Sequence, residues 1–495
     1  MSAHSRSAAV TNTPNQYDAS LLEEAFSAFS AAHAQYAQTT ALDDLRADDY
    51  ERLDRLGHVY LDYTGGGLYG RSQVRRHLEL LENTVLGNPH SDNPTSLAST
   101  QLVAETRDAV LAFFRADPAE YDVVFTANAS GALKLVGESY PFCEGGRYLL
   151  TYDNHNSVNG IREFARRAGA EVTYLPVGDA ELRLDCAMVT TELGRAHSGC
   201  DLFAFPAQSN FSGVQHPLEW VEQAQELGWD VLLDCAAFAP TNRLDLSVVK
   251  PDFVPLSFYK MFGYPTGIGA LIVKRDKLPK LRRPWFAGGT ITLASVQGEG
   301  WYHLAKGHVG FEDGTVDYLG LPAVRIGLAH LEQAGVERIH TRVSTLMRWL
   351  LAEMVALRHS DGSPMVRIFG PADMESRGAT VAFYLLAPDG QPYDVNRMER
   401  LAGKRLISLR TGCFCNPGDG EIAHHISRDD MAECFATKAV PVTFTECHDI
   451  IRDATGKMPN TMRVSLGLAS NFADVFRFME FAESFRDVPG DALTR

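Results

Sequence analysis

Apolar positions change their spacing twice along this chain. Between Ser20 and Ala37, Leu22, Phe26 and Phe29 recur at helical intervals and predict an amphipathic helix. From about Asp122 to Lys274 short apolar runs take over, at 123–126, 148–151, 171–175, 202–205, 231–234, 253–256 and 270–273. Helical patterns lie between several of them, as over Gly160 to Ala168 and Leu218 to Leu227. Strands alternating with helices predict crossover connections and a mainly parallel sheet covered on both faces. Such sheets bind ligands at the carboxyl ends of their strands. Farther on, Ala323 to Gly335 and Arg338 to Leu357 predict long helices leading out of the sheet, followed by strands at 366–369 and 379–384. Asn471 to Phe485 predicts a closing helix with Phe472, Phe476 and Met479 on one stripe, capped by Ser470 or Asn471, with Asp474 in its first turn. No internal repeat or low-complexity linker cuts the chain. The expected organisation is a helical segment over 1–59 that packs on a small domain, a large α/β domain over 60–330, and a small α+β domain over 331–495.

Composition narrows the function classes. The 495 residues are 45% hydrophobic and 22% charged, an ordinary globular balance. A formal net charge of −16 argues against a nucleic-acid footprint or a basic membrane surface. No apolar stretch approaches the roughly 20 residues needed to span a bilayer. Met1 to Ser20 lacks the apolar core of a signal peptide and reads as a frayed tail. Eight cysteines in a chain this long do not make a disulfide framework, so reduced thiols in a cytoplasm are expected.

The candidate chemistry gathers at strand ends. After the run at 123–125 comes Thr126-Ala127-Asn128-Ala129-Ser130-Gly131-Ala132, a small-residue turn entering a helix. Such a turn offers N–H groups and hydroxyls to a phosphate, although any strand-to-helix turn favours these residues. His155 follows the run at 148–151; it could stack on a flat ring or serve as an ordinary loop hydrogen-bonder. Asp234 ends a fully apolar strand, where a carboxylate needs a cationic partner such as a pyridinium, an arginine or a helix N-terminus. Lys260 sits in Ser257-Phe258-Tyr259-Lys260-Met261-Phe262-Gly263, an apolar setting that lowers an amine's pKa. A surface loop lysine is the plainer reading of that segment alone. The joint order of phosphate turn, histidine, aspartate and lysine, each after its own strand, matches the needs of pyridoxal 5′-phosphate (PLP).

Longer runs carry a resemblance. They include Tyr60-Leu61-Asp62-Tyr63, Asn154-His155-Asn156-Ser157-Val158, Ser209-Asn210-Phe211-Ser212-Gly213, Gly288-Gly289-Thr290, Arg410-Thr411-Gly412-Cys413-Phe414-Cys415-Asn416-Pro417-Gly418 and Arg463-Val464-Ser465-Leu466-Gly467. With these the chain resembles the class V aminotransferase branch of the fold-type I PLP enzymes, and within it the cysteine-desulfurase-like N-terminal portion of molybdenum cofactor sulfurases. The resemblance implies a fold-type I α/β architecture with a mainly parallel seven-stranded sheet and a smaller α+β domain. It implies that Lys260 forms the Schiff base, Asp234 pairs with the pyridine nitrogen, His155 stacks on the ring and Asn210 reaches the ring hydroxyl. Ala129, Ser130 and Ser257 would surround the phosphate, Thr290 would come from the neighbouring subunit of a homodimer, and Arg463 would grip the substrate carboxylate.

The same resemblance makes Cys415 the nucleophile that takes sulfur from L-cysteine as a persulfide, on an exposed and mobile loop, with Cys413 as a possible acceptor or spare. A Cys-x-Cys pair can also bind metal, but four ligands of plausible spacing are not visible, so no metal is expected. Inert cysteines are the remaining reading. The chain departs from the sulfurase pattern where a third cysteine is usual and Asp419-Gly420-Glu421 stands instead. It also ends before a further cofactor-handling domain would fit, so an unspecified sulfur acceptor, protein or small molecule, is expected. The alternative is a PLP-dependent C–S lyase, or another lyase or transferase, acting on a cysteine S-conjugate without a cysteine nucleophile. A catalytically silent scaffold is disfavoured by the intact Asp234, His155 and Lys260 set.

Overall fold

The computed structural model describes residues 16–195, 199–436 and 444–493, so most of the tail expected over Met1 to Ser20 lies outside the described residues. The helix expected over Ser20 to Ala37 is shorter. It runs as α1 (Leu22–Ala32), turns at His33 and continues as a 3-10 stretch over Ala34–Thr39. The turn lets two aromatic side chains reach one cluster: Phe29 stacks on Phe472 with ring centroids 4.6 Å apart, and Tyr36 meets Phe29 edge-on at 4.9 Å. A single straight helix would carry Tyr36 away from that contact, so burial overrides local periodicity.

The seven apolar runs form one sheet. Its strands are β1 (Tyr121–Thr126), β2 (Arg147–Thr151), β3 (Glu171–Leu175), β4 (Leu202–Pro206), β5 (Asp230–Asp234), β6 (Phe253–Ser257) and β7 (Gly269–Lys274). They lie in the order β1-β7-β6-β5-β4-β2-β3, and β7 alone runs antiparallel to its neighbours. The sheet is thus mainly parallel and covered on both faces. Alternate side chains prove the covering. Val123, Leu149, Phe203, Val231 and Val254 enter one core, while Val124, Leu150, Leu202, Leu232 and Phe253 enter the other. Period-2 alternation delivers apolar residues to both sides, which is why these strands read as unbroken apolar runs.

Two helices put chemistry at the strand ends. After β1, α2 (Ala129–Ser139) starts at Asn128, whose side chain accepts from Gly131 N at 2.9 Å. After β6, α3 (Phe258–Phe262) carries Lys260 and stops at Gly263, where φ is +78°. A side chain at Gly263 would collide with the backbone at Leu68 and Tyr69, so glycine is required for both space and conformation. α3 is backed by α4 (Leu321–Ala334), in which Gly327 faces the Phe262 ring with no room for a Cβ. α4 leads at Gly335 into α5 (Val336–Ala356), as the pattern expected.

A second, antiparallel sheet follows, of β8 (Val366–Phe369), β9 (Thr380–Leu385), β10 (Arg410–Gly412) and β11 (Thr461–Ser465), in the order β8-β9-β11-β10. β10 and β11 were not legible from alternation, because each centres on polar residues. Between them lies the short α6 (Pro417–Ala423). The closing helix is α7 (Phe472–Glu483), capped by Asn471 in a reciprocal box with Asp474.

The expectation of eight reduced cysteines is corrected at one pair. Cys143 and Cys200, 57 residues apart, are joined by a disulfide with Cα atoms 6.2 Å apart. They precede β2 and β4, which are adjacent in the sheet, so strand order rather than sequence brings them together. Among the described residues no helix is long and apolar enough to cross a membrane. Gly327→Ala is expected to force Phe262 or α3 aside and cost about 1–3 kcal/mol, read as a lower urea midpoint. An unchanged midpoint would show that the ring can yield freely.

Candidate active site

The carboxyl ends of β1, β2, β4, β5 and β6 border one cavity of about 280 Å³. Ala129, Ser130, His155, Asn210, Asp234, Ser257 and Lys260 all line it. Seven residues singled out along 132 positions of sequence therefore meet in one place, because parallel strands deliver their following loops to one edge. At its α2 end, Ser257 Oγ accepts from Ala129 N at 2.9 Å and the Ser130 and Ser157 hydroxyls are 2.6 Å apart. These groups face the cavity together with the N-terminus of an 11-residue helix, a setting suited to a phosphate.

At the middle of the cavity stand three titratable groups. Lys260 has no hydrogen-bond or ion-pair partner among the described residues, and burial pushes its pKa below the ordinary lysine range; Asp234 opposes that shift and Arg463 adds to it. His155 is also held below its usual range by burial and by the Lys260 charge, partly offset by Asp234. Its Nδ1 accepts from Ser157 N at 3.1 Å, so the neutral ring carries its proton on Nε2. Asp234 Oδ1 accepts from Ala236 N at 2.9 Å, and the carboxylate makes no ion pair among the described residues. A free amine, a flat neutral ring and a carboxylate awaiting a cation fit the aldehyde, face and pyridine nitrogen of PLP.

Cys415 lies on a turn held against Asn156 and Asn210 beside the cavity. Its side chain is exposed, whereas Cys413 is partly covered and its thiol pKa is raised by burial. Phe414 and Cys415 both have φ near +55°, uncommon for residues with side chains. The turn persists because it is fastened on both sides. Asn210 Nδ2 donates to Phe414 O at 2.7 Å, Asn156 N donates to Cys415 O at 2.7 Å, and Asn416 Nδ2 donates to Asp153 O at 2.8 Å. The turn's backbone carbonyls thus find partners on two loops of the large sheet.

Arg463 is buried in β11. Its guanidinium donates to Asn210 O at 2.8 Å and to Asp62 Oδ1 at 2.9 Å, covers the Phe414 ring at 4.4 Å, and leaves Nε without a partner. Asp62 in turn accepts from Arg410 at 2.7 and 2.9 Å. Thr290 is not among the cavity walls; its hydroxyl is satisfied at Ala287, beside a small hairpin over 291–304. Sequence reasoning passed over Asp62, Asp153 and Asn416. Asp62 sits inside the Tyr60–Tyr63 run, and Asp153 is two residues from His155, paired with His216 Nε2 at 2.7 Å. Among the described residues no cluster of three or more His, Cys, Asp or Glu could hold a metal ion.

The aminotransferase class-V family model matches residues 59–478. The chain belongs to the class V aminotransferase family. Members of that family are PLP-dependent enzymes, and this chain is one of them. The molybdenum cofactor sulfurase of Solanum lycopersicum is 34% identical over 473 residues, covering 90% of this chain and 57% of that protein. The human molybdenum cofactor sulfurase is 35% identical over 89% of this chain and 51% of its own length, so the chain spans little more than half of the curated relatives it matches. Among solved structures, a cysteine desulfurase from Thermococcus onnurineus NA1 aligns with a TM-score of 0.72 at 22% identity, over 90% of this chain and 98% of that one. That likeness is one of fold and establishes the fold-type I architecture.

Asp62→Ala would leave the Arg463 guanidinium buried without a carboxylate. The expected cost is about 3–5 kcal/mol, read from urea unfolding. A loss below about 0.5 kcal/mol would show that Asn210 O and the Phe414 face suffice.

Proposed function

We propose that the enzyme is a cysteine desulfurase whose acceptor thiol is Cys415. The observation that carries this reading is the exposed Cys415 on a turn whose carbonyls are held by Asn156 and Asn210, beside the cavity that contains Lys260. Bound PLP supplies an electron sink for charge developing at the substrate Cα. The substrate class is L-cysteine or a cysteine-derived amino acid. Arg463 receives its carboxylate through a planar guanidinium, oriented by Asp62. Lys260, kept uncharged more readily by burial, moves the proton at Cα. Asp234 would pair with the ring nitrogen and His155 would cover the ring, while Ala129, Ser130 and Ser257 would hold the phosphate and Asn210 would meet the ring hydroxyl.

Sulfur leaves Cβ to the Cys415 thiolate as the Cβ–S bond breaks and an S–S bond forms. L-cysteine and a thiol become alanine and a persulfide, with atoms and electrons balanced and no external oxidant. The persulfide then passes to a protein or small-molecule acceptor. The sulfurase relatives support sulfur transfer as the outcome. We also propose a homodimer. Trp285, Leu293, Val296 and Trp301 are exposed around Thr290, an apolar face that a second copy would cover while bringing Thr290 to its neighbour's site.

Two experiments test these readings. Incubation with L-cysteine is expected to yield alanine and protein-bound persulfide, with Cys415→Ser reducing alanine formation about 10²-fold or more and Lys260→Ala abolishing the visible band of bound cofactor. Full turnover by Cys415→Ser would refute the desulfurase reading, and pyruvate and ammonia as products would favour the lyase alternative. For assembly, light scattering after gel filtration should give twice the chain mass, and Leu293→Glu with Trp301→Glu should give monomers. A monomeric wild type would refute the dimer.

A further inference from the structure

Asp419 stands where the family pattern departs, and its surroundings are unusual for a carboxyl group. It is fully buried in the first turn of α6, and no lysine, arginine or histidine pairs with it among the described residues. Its Oδ2 accepts from Ser209 Oγ at 2.6 Å, and its backbone N donates to Asn416 Oδ1 at 3.2 Å. Ser209 Oγ accepts from Phe211 N and Ser212 N, both at 3.2 Å, so its single proton is committed to Asp419. Asn416 Nδ2 donates to Asn210 Oδ1 at 3.0 Å, and Asn210 Nδ2 donates to Phe414 O. Ser209 Oγ also accepts from Asn416 Nδ2 at 3.4 Å, so the buried Asp419 carboxyl is tied through Ser209 both to the turn after β4, which lines the cofactor cavity, and to Asn416, the residue after Cys415.

We infer that Asp419 is a positioning residue for the Cys415 thiol, acting through Ser209 and Asn416 without touching substrate. Burial and the neighbouring Asp153 carboxylate push its pKa well above the ordinary carboxylate range, which favours the neutral form where no cation stands beside it. A neutral carboxyl matches asparagine in shape and can still accept from Ser209. It does not match alanine, which leaves the Ser209 hydroxyl buried without an acceptor. Loss of that acceptor is expected to loosen the contact between Ser209 and Asn416, and with it the turn at 413–416, uncovering Cys413, whose thiol is partly covered in this turn.

The importance of this positioning for sulfur transfer rests on the function proposed above, but its structural effect can be read without turnover. The holoenzyme is exposed to iodoacetamide without substrate, and alkylation of Cys413 and Cys415 is followed separately by peptide mass spectrometry. In the wild type Cys415 should react in preference to Cys413. Asp419→Ala and Ser209→Ala should each raise Cys413 alkylation about fivefold or more relative to Cys415, while Asp419→Asn stays within about twofold of the wild type. With L-cysteine, Asp419→Ala should lower persulfide kcat by about 10²-fold with little change in KM, as a misplaced nucleophile does. Should Asp419→Ala fail to fold, Ser209→Ala and Asp419→Asn decide the matter. Unchanged alkylation selectivity in the alanine variants, or an Asp419→Asn enzyme that behaves like them, overturns the inference. Altered selectivity in a wild-type enzyme background that makes no persulfide would leave the positioning role standing and reject only the desulfurase reading.

Discussion

The Arg463 guanidinium must be satisfied in a place water does not reach, and much of the site follows from how that is done. Its carboxylate partner, Asp62, comes from 401 positions away in sequence, and Asp62 also takes Arg410 from the neighbouring strand. The remaining contacts go to Asn210 O on the large sheet and to the Phe414 ring. A buried charge left unpaired costs several kcal/mol, so these groups cannot separate cheaply. The N-terminal run, the turn after β4, the cysteine turn and the small sheet are thereby fixed against one another.

Within that frame the cavity is arranged so that charge is scarce before any ligand arrives. Burial lowers both Lys260 and His155, which favours a neutral amine and a neutral imidazole. Asp234 is the counterweight, its carboxylate unpaired at the end of β5. α3 presents Lys260 at a fixed depth because its two ends are set by close backbone and ring approaches at Gly263 and Gly327.

Seven strands, the long helices over 321–356 and the Asn471 cap were legible in the sequence, because period, length and capping chemistry act over a few residues. So was the grouping of Ala129, Ser130, His155, Asp234, Ser257 and Lys260, since a parallel sheet sends its loops to one edge, while Asn210 entered only through the family resemblance. The strands around Arg410 and Arg463 were not, because polar residues there are buried by distant partners rather than by alternation. The break at His33 and the Cys143–Cys200 link escaped for the same reason. The sequence by itself determined which residue types stand at each strand end. Only the tertiary structure decided that Asp62 holds Arg463, that Asp419 is sealed beside Ser209, and that the cysteine turn is anchored. Those pairings are set by the cost of burying polar groups unsatisfied, and that cost depends on neighbours hundreds of residues away.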